Sequence, residues 1–169
     1  MSSRLKNADL FPDLTIDLVG GGTLAIPRDL EGSYAVVLFY RGSWCPYCSA
    51  QLAAFSRARD RLAELGIKIV ALSVDDGPTS ETFVDKLRLS FAVGFGADAV
   101  AVAAATGAYL SEDAAYLQST GFVLDRRGRI LTAVYSSGAI GRLIPDDVAA
   151  FVKYVDAHRN DSQAVAAQT

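Results

Sequence analysis

Cysteine, histidine, methionine and tryptophan are scarce in this chain: two cysteines and one each of the others. Two thiols cannot build a multi-disulfide scaffold, and a zinc site within one chain would find only His158 to add to the cysteines, short of four ligands. Long apolar runs are also missing. The richest stretch, Ala97 to Leu110, is dominated by alanine and interrupted by Asp98, Thr106 and Gly107, so it predicts a small-residue helix and no membrane span. The first ten residues hold no apolar stretch of the length a secretory signal needs, and the expectation is a cytoplasmic protein. Runs of Lys or Arg are absent as well. Arg57, Arg59 and Arg61 are interleaved with Asp60 and Glu64, and a net charge of −3 speaks against nucleic acid as a partner. Gly20-Gly21-Gly22 is not followed by Lys at phosphate-loop spacing and opens onto a strand, which excludes a phosphate cradle.

What is present fits one domain. Hydrophobic residues make up 51% of the 169, enough for a core that needs no staple. The domain is placed at 1–158, with 159–169 as a flexible tail that contains the sequon-like Asn160-Asp161-Ser162, discounted in a cytoplasmic tail. Leu14–Leu18 and Thr23–Ile26 read as strands on either side of the glycine run. Tyr34-Ala-Val-Val-Leu-Phe-Tyr40 is a continuous apolar, β-branched and aromatic run, the pattern of a strand buried on both faces. Pro46 suits the first turn of a helix, and Cys48, Leu52, Phe55, Leu62 and Leu65 recur at helical spacing up to Gly66. Ile67–Ser73 is a second buried strand, so strand, helix and strand form a βαβ unit with a parallel pair. After the Asp75-Asp76-Gly77-Pro78 turn, Thr79–Leu89 reads as a helix capped by Thr79 or Ser80, followed by a short strand at Ala92–Phe95. Gly121–Asp125 and Ile130–Tyr135 flank the turn Arg126-Arg127-Gly128-Arg129 as an antiparallel hairpin. Pro145-Asp146-Asp147 opens a final helix, where both acids suit the dipole of the first turn. The sum is an α/β fold, a mixed central sheet with helices on both sides.

The order of these elements makes the cysteines informative. A buried strand ends at Tyr40, the loop Arg41-Gly42-Ser43-Trp44 follows, and Cys45-Pro46-Tyr47-Cys48 falls on the first turn of a helix. Unpaired N–H groups and the helix dipole stabilise a thiolate there. Two cysteines three apart on such a turn also approach the separation a disulfide prefers. A structural staple would close too short a loop to constrain the unfolded chain, a metal site lacks ligands, and two inert buried thiols remain open. Redox chemistry is the leading reading. Trp44 and Tyr47 are candidates for the rim of the site, and Asp75 and Asp76 belong to the turn with a minor prospect of lining it.

Three stretches resemble the alkyl hydroperoxide reductase and thiol-specific antioxidant (AhpC/TSA) family: Ala8–Ile16, Val36–Cys48 and Ile140–Asp147. The resemblance spans roughly residues 8 to 157 and implies a thioredoxin-like fold, no cofactor and no bound metal. It also implies reduction of a hydroperoxide by a cysteine thiolate, with a thioredoxin-type or low-molecular-weight thiol as reductant and a homodimer as the assembly many relatives adopt. On the family pattern Cys48 takes the peroxidatic position, Cys45 the Thr or Ser position and Arg41 the Pro position. The family's peroxide-polarising Arg would fall near Ser119, which departs from the pattern, whereas Arg142 matches the later Gly-Arg.

Trp44-Cys45-Pro46-Tyr47-Cys48 is also similar to a thioredoxin active site, where the first cysteine attacks and the second resolves. In that pattern the cis-Pro would fall near Ser119 too, and a thioredoxin-like fold makes Ser119 and Thr120 face the cysteines. Three readings therefore stand. One is a thiol peroxidase led by Cys48 with Cys45 resolving, a second is a disulfide oxidoreductase led by Cys45, and the third is a redox-switched binding module.

Overall fold

The structure, a computed structural model, describes residues 3–167, with side chains described as far as Arg159. Strands β1 (Leu14–Leu18) and β2 (Thr23–Ile26) form a hairpin, and a short 3-10 turn (Arg28–Leu30) leads into β3 (Tyr34–Phe39). Helix α1 (Pro46–Glu64), β4 (Ile67–Leu72), α2 (Gly77–Leu87), β5 (Ala92–Phe95) and α3 (Ala99–Thr106) follow. The chain closes with β6 (Thr120–Leu124), β7 (Ile130–Tyr135) and α4 (Pro145–Ala167). The seven strands form one sheet in the order β2-β1-β5-β4-β3-β6-β7. Strand β3 pairs parallel to β4 with Val37 opposite Val70, and antiparallel to β6 with Val37 opposite Phe122. This is the expected βαβ unit with the expected hairpin beside it, in a thioredoxin-like fold.

Every residue of β3 is buried because its two faces meet two cores. Tyr34, Val36 and Leu38 pack with Leu52, Phe55 and Leu62 of α1 and Val148 and Val152 of α4. Ala35, Val37 and Phe39 pack with Phe11, Phe122 and the small residues Ala99, Val102 and Ala103 of α3. On this side Phe122 meets Phe11, Phe39 and Tyr135 edge-on, with ring centroids 5.1, 5.6 and 5.6 Å away. Both cysteines belong to the first of these cores, so the redox pair sits in the wall of the domain.

Helix boundaries differ from the sequence reading in α2, in the alanine-rich helix and at the end of α4. Helix α2 starts at Gly77 and is capped by Asp76, whose carboxylate accepts from Thr79 N at 2.8 Å; Thr79 and Ser80 lie inside the helix. A carboxylate on an extended residue satisfies the orphan N–H groups before either hydroxyl can. The alanine-rich helix spans only Ala99–Thr106, because Asp98 caps its start and Gly107, at φ +80°, ends it. A side chain at Gly107 would also come within 2.6 Å of Arg4 Cα. Helical backbone continues in α4 through Ala167, past the boundary placed at 158. The Asn160 sequon lies outside the described side chains.

Candidate active site

The end of β3 and the start of α1 bring the two sulfurs together. Cys45 is the N-cap of α1, with Pro46 filling the first helical position, and its Sγ accepts from Cys48 N at 3.3 Å. Both cysteines are free thiols and both are 0% exposed. Two arginines reach the pair.

Arg41 lies two residues past the end of β3. Its main-chain N–H donates to Cys48 Sγ at 3.4 Å, while its guanidinium Nη1 reaches Cys45 Sγ at 3.8 Å. Arg142, from the segment before α4, places Nη2 3.1 Å from Cys48 Sγ and 3.7 Å from Cys45 Sγ. Its Nη1 donates to Gln51 Oε1 at 2.8 Å and its Nε to Ala139 O at 3.0 Å. Gln51, one turn beyond Cys48, in turn donates to Leu143 O at 2.9 Å. The two arginines named from sequence thus both reach the sulfurs.

The electrostatics of the pair are unequal. Burial alone would push the Cys45 thiol up. Hydrogen bonds from the Cys48 thiol and N–H and from Arg41, with the charge of Arg142, outweigh burial and hold Cys45 below the ordinary thiol value. Burial pushes the Cys48 thiol up, and its hydrogen bond to Cys45 adds to that, against the Arg41 N–H and the Arg142 charge. Of the two thiols Cys45, the one the family pattern places at the Thr or Ser position, is therefore the more readily ionised. Nearby, burial pushes the Tyr40 hydroxyl up to about 12, so this residue stays neutral beside the pair.

The remaining candidates divide. Trp44 and Tyr47, the rim candidates, are 55% and 53% exposed. The Trp44 indole folds back over the loop, so that a Cβ on Gly42 would lie 2.3 Å from Trp44 Nε1. It meets the Tyr116 ring edge-on at 5.0 Å and lies 4.8 Å from the Arg41 guanidinium carbon. Ser119 and Thr120 are buried, but neither hydrogen-bonds to a sulfur among the described residues. Ser119 O accepts from Ser136 N, and Thr120 Oγ1 donates to Gln118 O. Gln118 is the residue of that segment that reaches the site, its Oε1 accepting from Arg41 Nε at 3.0 Å.

Asp75 anchors the active-site loop, its Oδ2 accepting from Ser43 N at 2.7 Å, whereas Asp76 is only a helix cap. Gln51, Tyr116 and Gln118 escaped the sequence reading. Gln51 had a signal, since it lies three residues after Cys48 on a predicted helix; Tyr116 and Gln118 sit in a loop whose path the sequence does not indicate. Among the described residues no three His, Cys, Asp or Glu side chains gather as metal ligands. No helix among them is long and apolar enough to cross a membrane.

Residues 8–133 match the AhpC/TSA family. A peroxiredoxin of Treponema denticola is 23% identical over 146 residues, covering 84% of this chain and 70% of that protein. Chloroplastic peroxiredoxin Q of Populus jackii is 30% identical over 89 residues, 53% of this chain and 41% of that protein's length. Among solved structures, Mycobacterium tuberculosis AhpC superposes with a TM-score of 0.79 at 19% identity, covering 92% of this chain and 96% of that one.

Proposed function

The chain belongs to the AhpC/TSA family, and from that premise we propose that it is a thiol-dependent peroxidase working through a Cys45/Cys48 dithiol–disulfide cycle. The observation that carries this reading is the convergence of two guanidinium groups on a fully buried sulfur pair. A cation beside the sulfur keeps a thiolate at neutral pH and also stabilises the charge that develops on the departing oxygen. Complete burial supports a small oxidant: a hydroperoxide need only displace a guanidinium to reach Sγ, whereas a protein disulfide needs a wider opening.

The Cys45 thiolate attacks the terminal peroxide oxygen. The O–O bond breaks, Cys45 becomes a sulfenic acid, and the leaving alkoxide takes the Cys48 proton to depart as an alcohol. Cys48, now a thiolate, attacks Cys45 Sγ and expels hydroxide, which solvent protonates to water, leaving the disulfide. An external dithiol or a low-molecular-weight thiol returns both sulfurs to the reduced state. Such a cycle suits the reducing cytoplasm, and a homodimer is the assembly proposed for it.

A second reading, thiol–disulfide exchange, is favoured by the N-cap position of Cys45, where a thioredoxin-like site places its nucleophile. Stopped-flow fluorescence of Trp44, the single tryptophan, separates the two on mixing reduced protein with hydrogen peroxide. The peroxidase reading expects a change whose rate rises with peroxide concentration and far exceeds that of a free thiol. A rate equal to a free thiol overturns it in favour of exchange. In the same assay Cys48→Ser consumes one equivalent of peroxide and stops at the sulfenic acid, and Cys45→Ser loses the fast reaction.

A further inference from the structure

We infer that Gln118 and Tyr116 are positioning residues that hold the Arg41 guanidinium against Cys45, and that this brace decides which of the two sulfurs becomes the attacking thiolate. The inference rests on the peroxidase reading above. Arg142 does not favour Cys45, since Nη2 reaches both sulfurs and lies nearer to Cys48. Arg41 is the cation that favours Cys45. Its charged end contacts Cys45 only, and Cys48 receives just its main-chain N–H.

An arginine beside a sulfur is useful only if it stays there, and a free side chain loses substantial rotamer entropy in doing so. Here each guanidinium nitrogen has its own partner. Nε donates to Gln118 Oε1 at 3.0 Å, Nη2 to Tyr116 OH at 3.2 Å and Nη1 to Cys45 Sγ. Trp44 and Tyr116 present their rings to the guanidinium carbon at 4.8 and 5.3 Å. Both hydrogen-bond acceptors are neutral. They fix the cation without cancelling its charge, which a carboxylate in either place would do.

The segment that carries them is itself fastened. Gln118 N donates to Tyr109 O at 2.8 Å, and Leu110 bridges to Leu117. Ser111 Oγ accepts from Ala115 N and Tyr116 N at 2.9 and 3.1 Å while donating to Asp113. A loop with no cysteine and no cation of its own is thereby shaped to deliver two acceptors to Arg41.

The test is a double-mutant cycle on the full chain, reduced and without any peroxide: Arg41→Met, Gln118→Leu and the two combined, with Tyr116→Phe alongside. The readouts are the pH dependence of iodoacetamide alkylation and, by peptide fragmentation, the sulfur alkylated first. Arg41→Met is expected to lower Cys45 alkylation at pH 7 about tenfold, the effect of one lost neighbouring charge. Gln118→Leu and Tyr116→Phe shift the profile less and in the same direction, and the combined variant matches Arg41→Met alone. Additive shifts, or Gln118→Leu and Tyr116→Phe profiles identical to wild type, would overturn the brace. Tyr116→Phe keeps the ring and removes one hydroxyl, so it decides the matter even where Gln118→Leu fails to fold. Failure of the peroxidase reading shows separately, in the stopped-flow rate.

Discussion

Gln51 Oε1 accepts from Arg142 Nη1 at 2.8 Å, and that fastening leaves Nη2 of the same guanidinium 3.1 Å from Cys48 Sγ. The helix that carries Cys48 therefore also holds the cation that serves it. Arg142 comes from the far end of the chain, and its backbone is tied in turn by the Gln51 bond to Leu143 O.

Arg142→Met removes the cation whose Nη2 reaches both sulfurs. The rate of reaction with hydrogen peroxide is expected to fall on the order of 100-fold, the range seen when a preorganised donor is taken from a developing charge. Arg142→Lys keeps the charge but not the fork that grips Gln51 and sulfur together, and falls between. A stopped-flow comparison checks both.

The Cys45 thiol is held below its ordinary value, which fixes the sign of the pH dependence. The thiolate, and with it the peroxide rate, is lost as pH falls through that lowered value. As pH rises the rate reaches its plateau at lower pH than an ordinary thiol's would. A rate–pH profile of the reduced protein measures this, and a midpoint at or above that of an ordinary thiol would move the reacting thiolate away from Cys45.

Asp75→Ala leaves the Ser43 N–H without its acceptor in a half-buried loop, at a cost of about 1–3 kcal/mol. Asp75→Asn keeps an oxygen in the same place and stays near wild type. Thermal denaturation read beside the peroxide rate separates the pair: alanine lowers both, asparagine neither.

Phe122 is the centre of the aromatic cluster on the α3 side of the sheet, whereas the cysteines lie in the core on the other side. Phe122→Ala is expected to cost about 3–5 kcal/mol of stability from cavity formation. Its peroxide rate should match wild type wherever the variant is folded. Urea unfolding gives the first quantity and stopped flow the second.

Much of the frame is legible in the sequence because each signal is local. The unbroken run Tyr34–Tyr40 can only be a strand with two covered faces, Pro46 and Gly66 bracket α1, and the turn at Arg126–Arg129 forces β6 and β7 together. Cap choice is less legible, since Asp76 and Thr79 are both good caps and the backbone of the turn decides between them. The cations of the site could be named, Arg41 by adjacency and Arg142 by its Gly-Arg setting. What holds them could not. Gln118 lies 77 residues from Arg41 and Gln51 lies 91 from Arg142, contacts that only the folded sheet creates. Which thiol ionises more readily was likewise out of reach, because it depends on where the guanidinium groups stand relative to two sulfurs.

Neither Arg41 nor Arg142 forms an ion pair with a carboxylate among the described residues. On the peroxidase reading proposed above, the anion they face in the reduced protein is the Cys45 thiolate. Closing the disulfide removes that anion and leaves both cations in place, so the mouth of the site turns more electropositive on oxidation. Oxidant and reductant thus approach the same opening through different fields. An acidic reductant surface is drawn more strongly to the oxidised form, with an advantage that fades as ionic strength rises.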